Sequence, residues 1–401
     1  MTWKKMIKRH LKQLLGIILL LLSSSAVMSA DTIKLGMTAV LTGPSAALGN
    51  DIRTGVESYF QLINKQGGVQ GRQLELVVYD DGYEPARAAK NMRKLIDEDN
   101  VLSVIGNVGT PTAIVTVPIA QEKKTLLFGA FSGGGVLRED PASRYIINYR
   151  PSYAEETTDM INGLFRAGVE FKKIAFFTQR DGYGDAAYQG AINALKSYGF
   201  KHSEDLVHGR YTRNTLNVED AVAALLDAPI TPKVVIMAGG YAPSAKFIKL
   251  VQQELPDIWF LNVSFVGSHS LQKELSTGIN NVIVTQVVPD IASSLPIIDE
   301  FKLALNNFDP LVEPNSVSLE GFIIAKIFYR GLMKVPGEIT KESIINGIES
   351  LDGIDIGIGL DIYYDEIEHQ AVHKVWLTHL KSGVFKYFEW DMLLVGDRLK
   401  E

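Results

Sequence analysis

The chain contains no cysteine. That excludes disulfides, thiolate metal sites and a thiol nucleophile. It also lacks a long hydrophobic run. The longest, Leu14 to Leu22, is about half of the roughly 20 residues needed to span a bilayer. No G-x-x-x-x-G-K-[ST] loop is present, so a nucleoside triphosphatase is not expected. The segment GAFSG places Ser132 one position late for a G-x-S-x-G nucleophile elbow. Positive charge is in deficit as well: 40 Lys and Arg stand against 46 Asp and Glu. An acidic chain suits neither nucleic-acid phosphates nor their electrostatic capture.

What is present fits a soluble globular protein. Of the 401 residues 46% are hydrophobic and 21% charged, enough chain for two domains. The first 30 residues read differently. Lys4, Lys5, Lys8, Arg9 and Lys12 precede the apolar run, and small residues follow it up to Ala30. That is the layout of a secretory signal peptide, with cleavage expected near Ala30. No cysteine lies at the junction to carry a lipid anchor. Removing residues 1–30 would shift the formal charge from −6 to −11.

Beyond Asp31 short apolar runs alternate with longer amphipathic ones. Strands are predicted at Ile33–Val40, Leu74–Asp80, Leu102–Gly106, Leu126–Phe131 and Tyr145–Tyr149. Helices are predicted at Asp51–Asn64, Pro85–Glu98 and Pro111–Glu122. A second series places strands at Ile174–Thr178, Val234–Ala238, Ile258–Asn262 and Val282–Val287. Its helices are Asp185–Tyr198, Val218–Leu226 and Pro243–Leu255. Strands separated by crossover helices make parallel sheets. The prediction is therefore an α/β protein of two doubly wound parallel-sheet lobes, divided near Tyr149-Arg150-Pro151. Two helices around Asp309-Pro310, a short helix at Lys341–Ser350 and strands after Asp361 complete the chain.

Ligands of open parallel sheets bind beyond the carboxyl ends of the strands. Two such ends in the first lobe are rich in glycine and hydroxyls. In Gly106-Asn107-Val108-Gly109-Thr110-Pro111-Thr112, Thr110 is expected to cap a helix that Pro111 opens. Gly109 leaves room for close approach to the backbone, and the Thr110 and Thr112 hydroxyls can donate. The second end, Phe131-Ser132-Gly133-Gly134-Gly135, offers a hydroxyl and free backbone. Both ends together suit one anionic ligand, such as a carboxylate. Loops in the second lobe could face them: Asp181-Gly182-Tyr183-Gly184, Gly239-Gly240-Tyr241 and Asn262-Val263-Ser264-Phe265. Asp80-Asp81 reads as a solvated strand end. His369 and His373 lie in a segment that alternates like a strand, where four residues span roughly 13 Å, so no metal site is expected.

These segments carry a resemblance. IKLGMTAVLTGPSAALGNDIRTGVE, NKQGGVQGRQLELVVYDDGYEPARAA, IGNVGTPTAIVTVPIA, QRDGYGDAAYQG and SLEGFIIAK, in this order and spacing, resemble the periplasmic substrate-binding proteins of ABC importers, in the leucine/isoleucine/valine-binding branch. The resemblance implies the type I fold, two α/β lobes joined by three crossovers. It implies lobe 1 at 31–150 plus about 286–355, and lobe 2 at 151–285 plus about 356–401. It also implies a return to lobe 1 near Thr285 and a departure around Leu351–Leu360. Ligand contacts would come from Thr110, Thr112, Phe131, Ser132, Gly133, Tyr183 and Tyr241. Relatives that bind aliphatic amino acids carry a glutamate for the ligand ammonium where Ser264 aligns. Glu320, Asp181 or Asp81 could supply that charge instead, or the ligand is a carboxylate with no amine. Phe131 and Phe265 would flank its apolar body.

The resulting expectation is an exported, non-enzymatic and monomeric protein without a cofactor. It would capture a small polar organic ligand (an amino acid or a small, aromatic or aliphatic, carboxylate or amide) between its lobes. It would then deliver that ligand to an importer permease in the inner membrane. A sensing module of the same fold, feeding a separate signalling partner, is the alternative.

Overall fold

The computed structural model describes residues 32–275 and 278–391, together with Trp3. The expected leader and its cleavage site lie outside the described residues. Strands β1 (Ile33–Ala39), β2 (Leu74–Asp80), β3 (Ser103–Ile105), β4 (Leu126–Phe128) and β5 (Ile146–Ile147) form one sheet. Its order is β2-β1-β3-β4-β5, and every pair is parallel. Helices α1 (Ala46–Lys65), α2 (Pro85–Asp97) and α3 (Thr110–Glu122) make its crossovers.

The chain then passes through α4 (Tyr153–Arg166), β6 (Ile174–Gln179), α5 (Gly182–Ser197), β7 (His208–Tyr211), α6 (Glu219–Leu226), β8 (Val234–Ala238), α7 (Tyr241–Glu254), β9 (Trp259–Asn262), α8 (Ser268–Glu274) and β10 (Val282–Gln286). Helices α9 (Pro296–Phe308), α10 (Ser316–Leu332) and α11 (Lys341–Glu349) follow, then the ribbon of β11 (Ile354–Asp355) and β12 (Asp361–Ile362). Strands β13 (Trp376–Lys381) and β14 (Val384–Tyr387) close the second sheet, whose order is β14-β13-β10-β9-β8-β6-β7. Its inner strands are buried along their whole length, as the near-continuous apolar runs IAFFTQ, VVIMA and VIVTQ require of a sheet covered on both faces.

Three elements depart from the sequence reading. Helix α4 was not expected, yet its start is a complete capping box. Ser152 Oγ accepts from the Glu155 N–H at 3.1 Å, while the Glu155 carboxylate accepts from the Ser152 N–H at 2.6 Å. Strand β7 pairs at the edge beside β6, and α8 is a short turn of helix after β9. Both are too short to show a clear period.

Three stretches link the sheets: 148–152, 287–295 and 363–375. They are tied side by side. The Asn148 N–H donates to the His369 carbonyl at 2.7 Å and the Val372 N–H to the Tyr149 carbonyl at 3.0 Å. The Tyr149 hydroxyl donates to the Val287 carbonyl at 3.0 Å. The third link begins after the β11–β12 ribbon, which first folds over the start of α9 through the Ile297 N–H to Gly357 carbonyl bond.

Candidate ligand-binding site

The carboxyl ends of β3 and β4 face those of β6, β8 and β9 across the junction of the two sheets. Phe265, on the loop after β9, stands at the centre. Its ring lies 5.2 Å from Phe131, 4.7 Å from Tyr183, 6.0 Å from Tyr83 and 6.5 Å from Tyr153, centre to centre. Tyr83 and Phe131 come from the first lobe, Tyr153 and Tyr183 from the second. All five rings are buried, so the lobes are closed upon one another.

Arg150, on the first link, enters this aromatic box. Its guanidinium carbon lies 4.6 Å from the Phe131 ring centre. Both it and Glu156, on α4, are fully inaccessible to solvent. Glu156 accepts from the Ser264 N–H at 2.7 Å, the Ser264 hydroxyl at 2.9 Å and the Thr285 hydroxyl. Arg150 Nη2 also bonds the Ser264 hydroxyl, and lies 3.9 Å from Glu156. Arg150 Nε is 3.6 Å from the Glu320 carboxylate, beyond hydrogen-bonding geometry. Among the described residues neither Arg150 Nε nor Nη1 has a hydrogen-bond partner. A buried guanidinium with two nitrogens lacking a hydrogen-bond acceptor is costly and is not left so without a reason. The Tyr153 hydroxyl is likewise buried without a bond of good geometry, next to Ser132 and the Gly133 amide.

The remaining sequence candidates fall at different distances from this centre. Thr110 and Ser132 share a 2.7 Å hydrogen bond, and Ser132 Oγ also accepts from the Gly134 N–H. Thr110 is not the helix cap; Gly109 is, and Thr110 is the first helical residue. Its hydroxyl is drawn to Ser132 instead. Thr112 is buried too, but its hydroxyl bonds the Val108 and Gly109 carbonyls of its own helix start. Gly109 has φ +99°, and a Cβ there would lie 2.1 Å from the Tyr83 ring. The space that this glycine frees is thus filled by the protein's own tyrosine. A Cβ on Gly133 would likewise meet the Tyr153 amide, at 2.6 Å. The Tyr183 hydroxyl donates to the Gly239 carbonyl at 3.4 Å. Tyr241 is only partly buried, near the Ala47 amide at the start of α1, and lies outside the aromatic box.

Of the three acids that could meet an ammonium, two are engaged elsewhere. Asp81 accepts from the Thr38 hydroxyl and the Tyr83 N–H. Asp181 caps α5 and pairs with Arg213 at 3.1 Å. Glu320 faces Arg150, and burial, partly offset by Arg150, pushes its carboxyl up to about 7. Arg150 itself is desolvated, but Glu320, Tyr153 and Glu156 more than compensate and hold its pKa above the usual value. Arg138 is lowered to about 10 by burial. Its N–H groups clamp the Ser132 and Gly134 carbonyls to those of Arg150 and Pro151.

Arg150, Tyr153, Glu156 and Thr285 were not singled out from the sequence. The only signal for the first three was the S-x-x-E box next to the predicted lobe break. Asp80, read as a solvated strand end, is a turn anchor that accepts from the Leu41 and Gly82 amides and from Arg87. His373 contacts Glu155, and His369 contacts Glu349 and backbone carbonyls.

A latch closes the edge of the junction. Arg213, after β7, bridges Asp181 in its own lobe and Glu84 across the junction, at 3.1 and 3.0 Å. The Asn214 amide donates to Glu84 at 2.7 Å and to the Gly82 carbonyl at 3.1 Å. Partly exposed pairs of this kind contribute ~1 kcal/mol, or roughly fivefold in an equilibrium. Arg213→Gln should therefore open the lobes measurably: small-angle scattering should give a larger radius of gyration than the parent protein, the more so at high salt. An unchanged curve at both salts would show that the latch does not hold the lobes together.

With this geometry in view, the comparisons with known proteins are decisive. The family model described as "Periplasmic binding protein" matches residues 32–384. The chain belongs to the type I periplasmic binding proteins, in the leucine/isoleucine/valine-binding family. It is similar to a structure described as a possible leucine/isoleucine/valine-binding protein from Rhodopirellula baltica, at 41% identity and a TM-score of 0.89, covering 92% of this chain and all of that one. It is 24% identical to the leucine-, isoleucine-, valine-, threonine- and alanine-binding protein of Pseudomonas aeruginosa, over 82% of this chain and 84% of that protein. The fold is shared as well by a fatty acid ABC transporter substrate-binding protein from Thermomonospora curvata, with a TM-score of 0.77 at 21% identity over 90% and 92% of the two chains. A periplasmic binding protein is a solute-binding protein and not an enzyme, and its family is exported to the periplasm. No helix among the described residues is long and apolar enough to cross a membrane.

Proposed function

We propose that this periplasmic binding protein captures a small carboxylate without an amine, one with an apolar or aromatic body, and delivers it to an ABC importer in the inner membrane. The observation that carries the reading is Arg150: a buried guanidinium with two nitrogens lacking a hydrogen-bond acceptor, enclosed by Phe131, Tyr153, Tyr183 and Phe265. A carboxylate can accept from Nη1, which points away from the Nε that faces Glu320, and the mutually adjacent Thr110, Ser132 and Tyr153 hydroxyls offer further donors. The rings suit the rest of the molecule. Ser264 brings no charge for an ammonium group, Asp81 and Asp181 are engaged, and the remaining acid, Glu320, already faces Arg150. The lobes enter this reading as 31–150 plus about 286–355 and 151–285 plus about 356–401. Thr110, Thr112, Gly133 and Tyr241 then serve mainly to shape and close the site.

The comparison that tests it is between matched pairs. Titration calorimetry should find 4-methyl-2-oxopentanoate bound at least as tightly as leucine, and phenylpyruvate or benzoate at least as tightly as phenylalanine. An unpaired ammonium in such a site costs several kcal/mol. A strong preference for the two amino acids would overturn the proposal.

A further inference from the structure

The candidate site holds more acid than base. Arg150 is in contact with two carboxylates, Glu156 and Glu320, at 3.9 and 3.6 Å. The other titratable groups facing Glu320 are Tyr149, on the same link as Arg150, and Arg138. Arg138 is held by Gln370 and by four backbone carbonyls, and is balanced by Glu155 nearby. One guanidinium therefore answers for two buried acids before any ligand arrives. If an anion then takes Arg150 Nη1, a third carboxylate enters the same dry space. Glu156 keeps its three donors throughout. Glu320 has no such support: it faces Arg150 Nε at 3.6 Å, beyond hydrogen-bonding geometry, and would have to share that guanidinium with the ligand as well as with Glu156.

Resting on the carboxylate reading above, we infer that the site takes up a monocarboxylate together with one proton, which Glu320 accepts from solvent. Protonation removes the repulsion between two carboxylates sharing one guanidinium. It also gives Glu320 an O–H that can donate. The sign of the pH dependence follows. Burial, partly offset by Arg150, pushes the Glu320 carboxyl up to about 7 before a ligand binds. Below that pH the proton is already in place, and affinity is flat. Above it each bound anion must bring a proton, and affinity falls about tenfold per pH unit until Glu320 of the complex itself titrates.

The test uses the full-length mature protein and three probes: benzoate, phenylpyruvate and 4-methyl-2-oxopentanoate. Calorimetry at pH 8 in buffers of different ionisation enthalpy should report uptake of about one proton per ligand. The dissociation constant should rise about tenfold per unit above pH 7. In Glu320→Gln, which keeps a neutral donor, both effects should vanish, and affinity at pH 8 should match that of the parent protein at pH 6. Carboxylate binding without proton uptake would overturn this inference and leave the carboxylate reading standing. A pH slope that persists in Glu320→Gln would overturn the assignment to Glu320. No binding of any of the three probes would overturn both.

Discussion

Arg150→Met is expected to lose carboxylate binding by a factor on the order of 10–10². One charge-assisted hydrogen bond at ~1.5–3 kcal/mol sets that range. Methionine follows the course of the arginine stem and keeps the contact with the Phe131 ring, which now lies 4.6 Å from the guanidinium carbon. It removes the Nη1 donors and the charge. The same change strands Glu156 and Glu320 without a cation, so stability should fall as well. Arg150→Lys separates the two effects. It keeps the charge near both acids but is shorter and has no group at the Nη1 position, so it should fold well and still bind at least tenfold more weakly, by the ~1.5 kcal/mol or more of one lost charged bond. Calorimetry with benzoate or phenylpyruvate, beside a urea titration of each variant, reads both quantities. Binding within threefold of the parent protein in Arg150→Met would remove the guanidinium from the ligand's path.

The second large effect is expected at Gly321 in α10, the second of the two helices predicted around Asp309-Pro310. Helices α1 and α10 touch backbone to backbone there. A Cβ on Gly321 would lie 2.3 Å from the Ile52 carbonyl oxygen, and one on Gly55 would lie 2.0 Å from the Ser318 carbonyl oxygen. Neither obstacle is a side chain that can rotate away. Tyr59 and Phe322 then meet edge to face at 4.9 Å, and Phe322 meets Phe301 at 5.4 Å. Gly321→Val must push the helices apart and lose that packing. A cost of about 3 kcal/mol, at the upper end of overpacking, is expected as a lower urea midpoint. Because Glu320 precedes Gly321 on α10, the displacement should also disturb the acid facing Arg150. Gly135→Ala, with nothing within 4 Å of the added carbon, should be neutral by comparison. A Gly321→Val protein as stable as Gly135→Ala would refute the close-contact argument.

The parallel strands were legible because each is a short apolar run between amphipathic segments. β1, β2, β8 and β10 lie within a residue of where the pattern puts them. Helix α4 was overlooked, although Ser152-x-x-Glu155 announces its start, because its apolar face is broken by Glu156, Thr157 and Asp159. That break is informative in retrospect. Glu156 is buried on the face of the helix that should be apolar, and it is the residue that holds Ser264 and Thr285. The glycine-rich strand ends were legible as well, but their meaning was not. Gly109 and Gly133 read as openings for a ligand, whereas Tyr83 and Tyr153 occupy the space next to them.

By itself the sequence determined the α/β alternation, the two series of strands, the order of family segments and the absence of thiol or nucleotide chemistry. All of these rest on local period, composition and spacing, which are properties of neighbours along the chain. The tertiary structure alone decided that Arg150, Glu156, Ser264, Thr285 and Glu320 form one charged cluster. Those residues lie up to 170 positions apart and come from a link, two helices, a loop and a strand. No local pattern marks an arginine whose partners arrive from four other elements. Its burial, its two nitrogens without an acceptor and the charge it must share exist only after the lobes close around it.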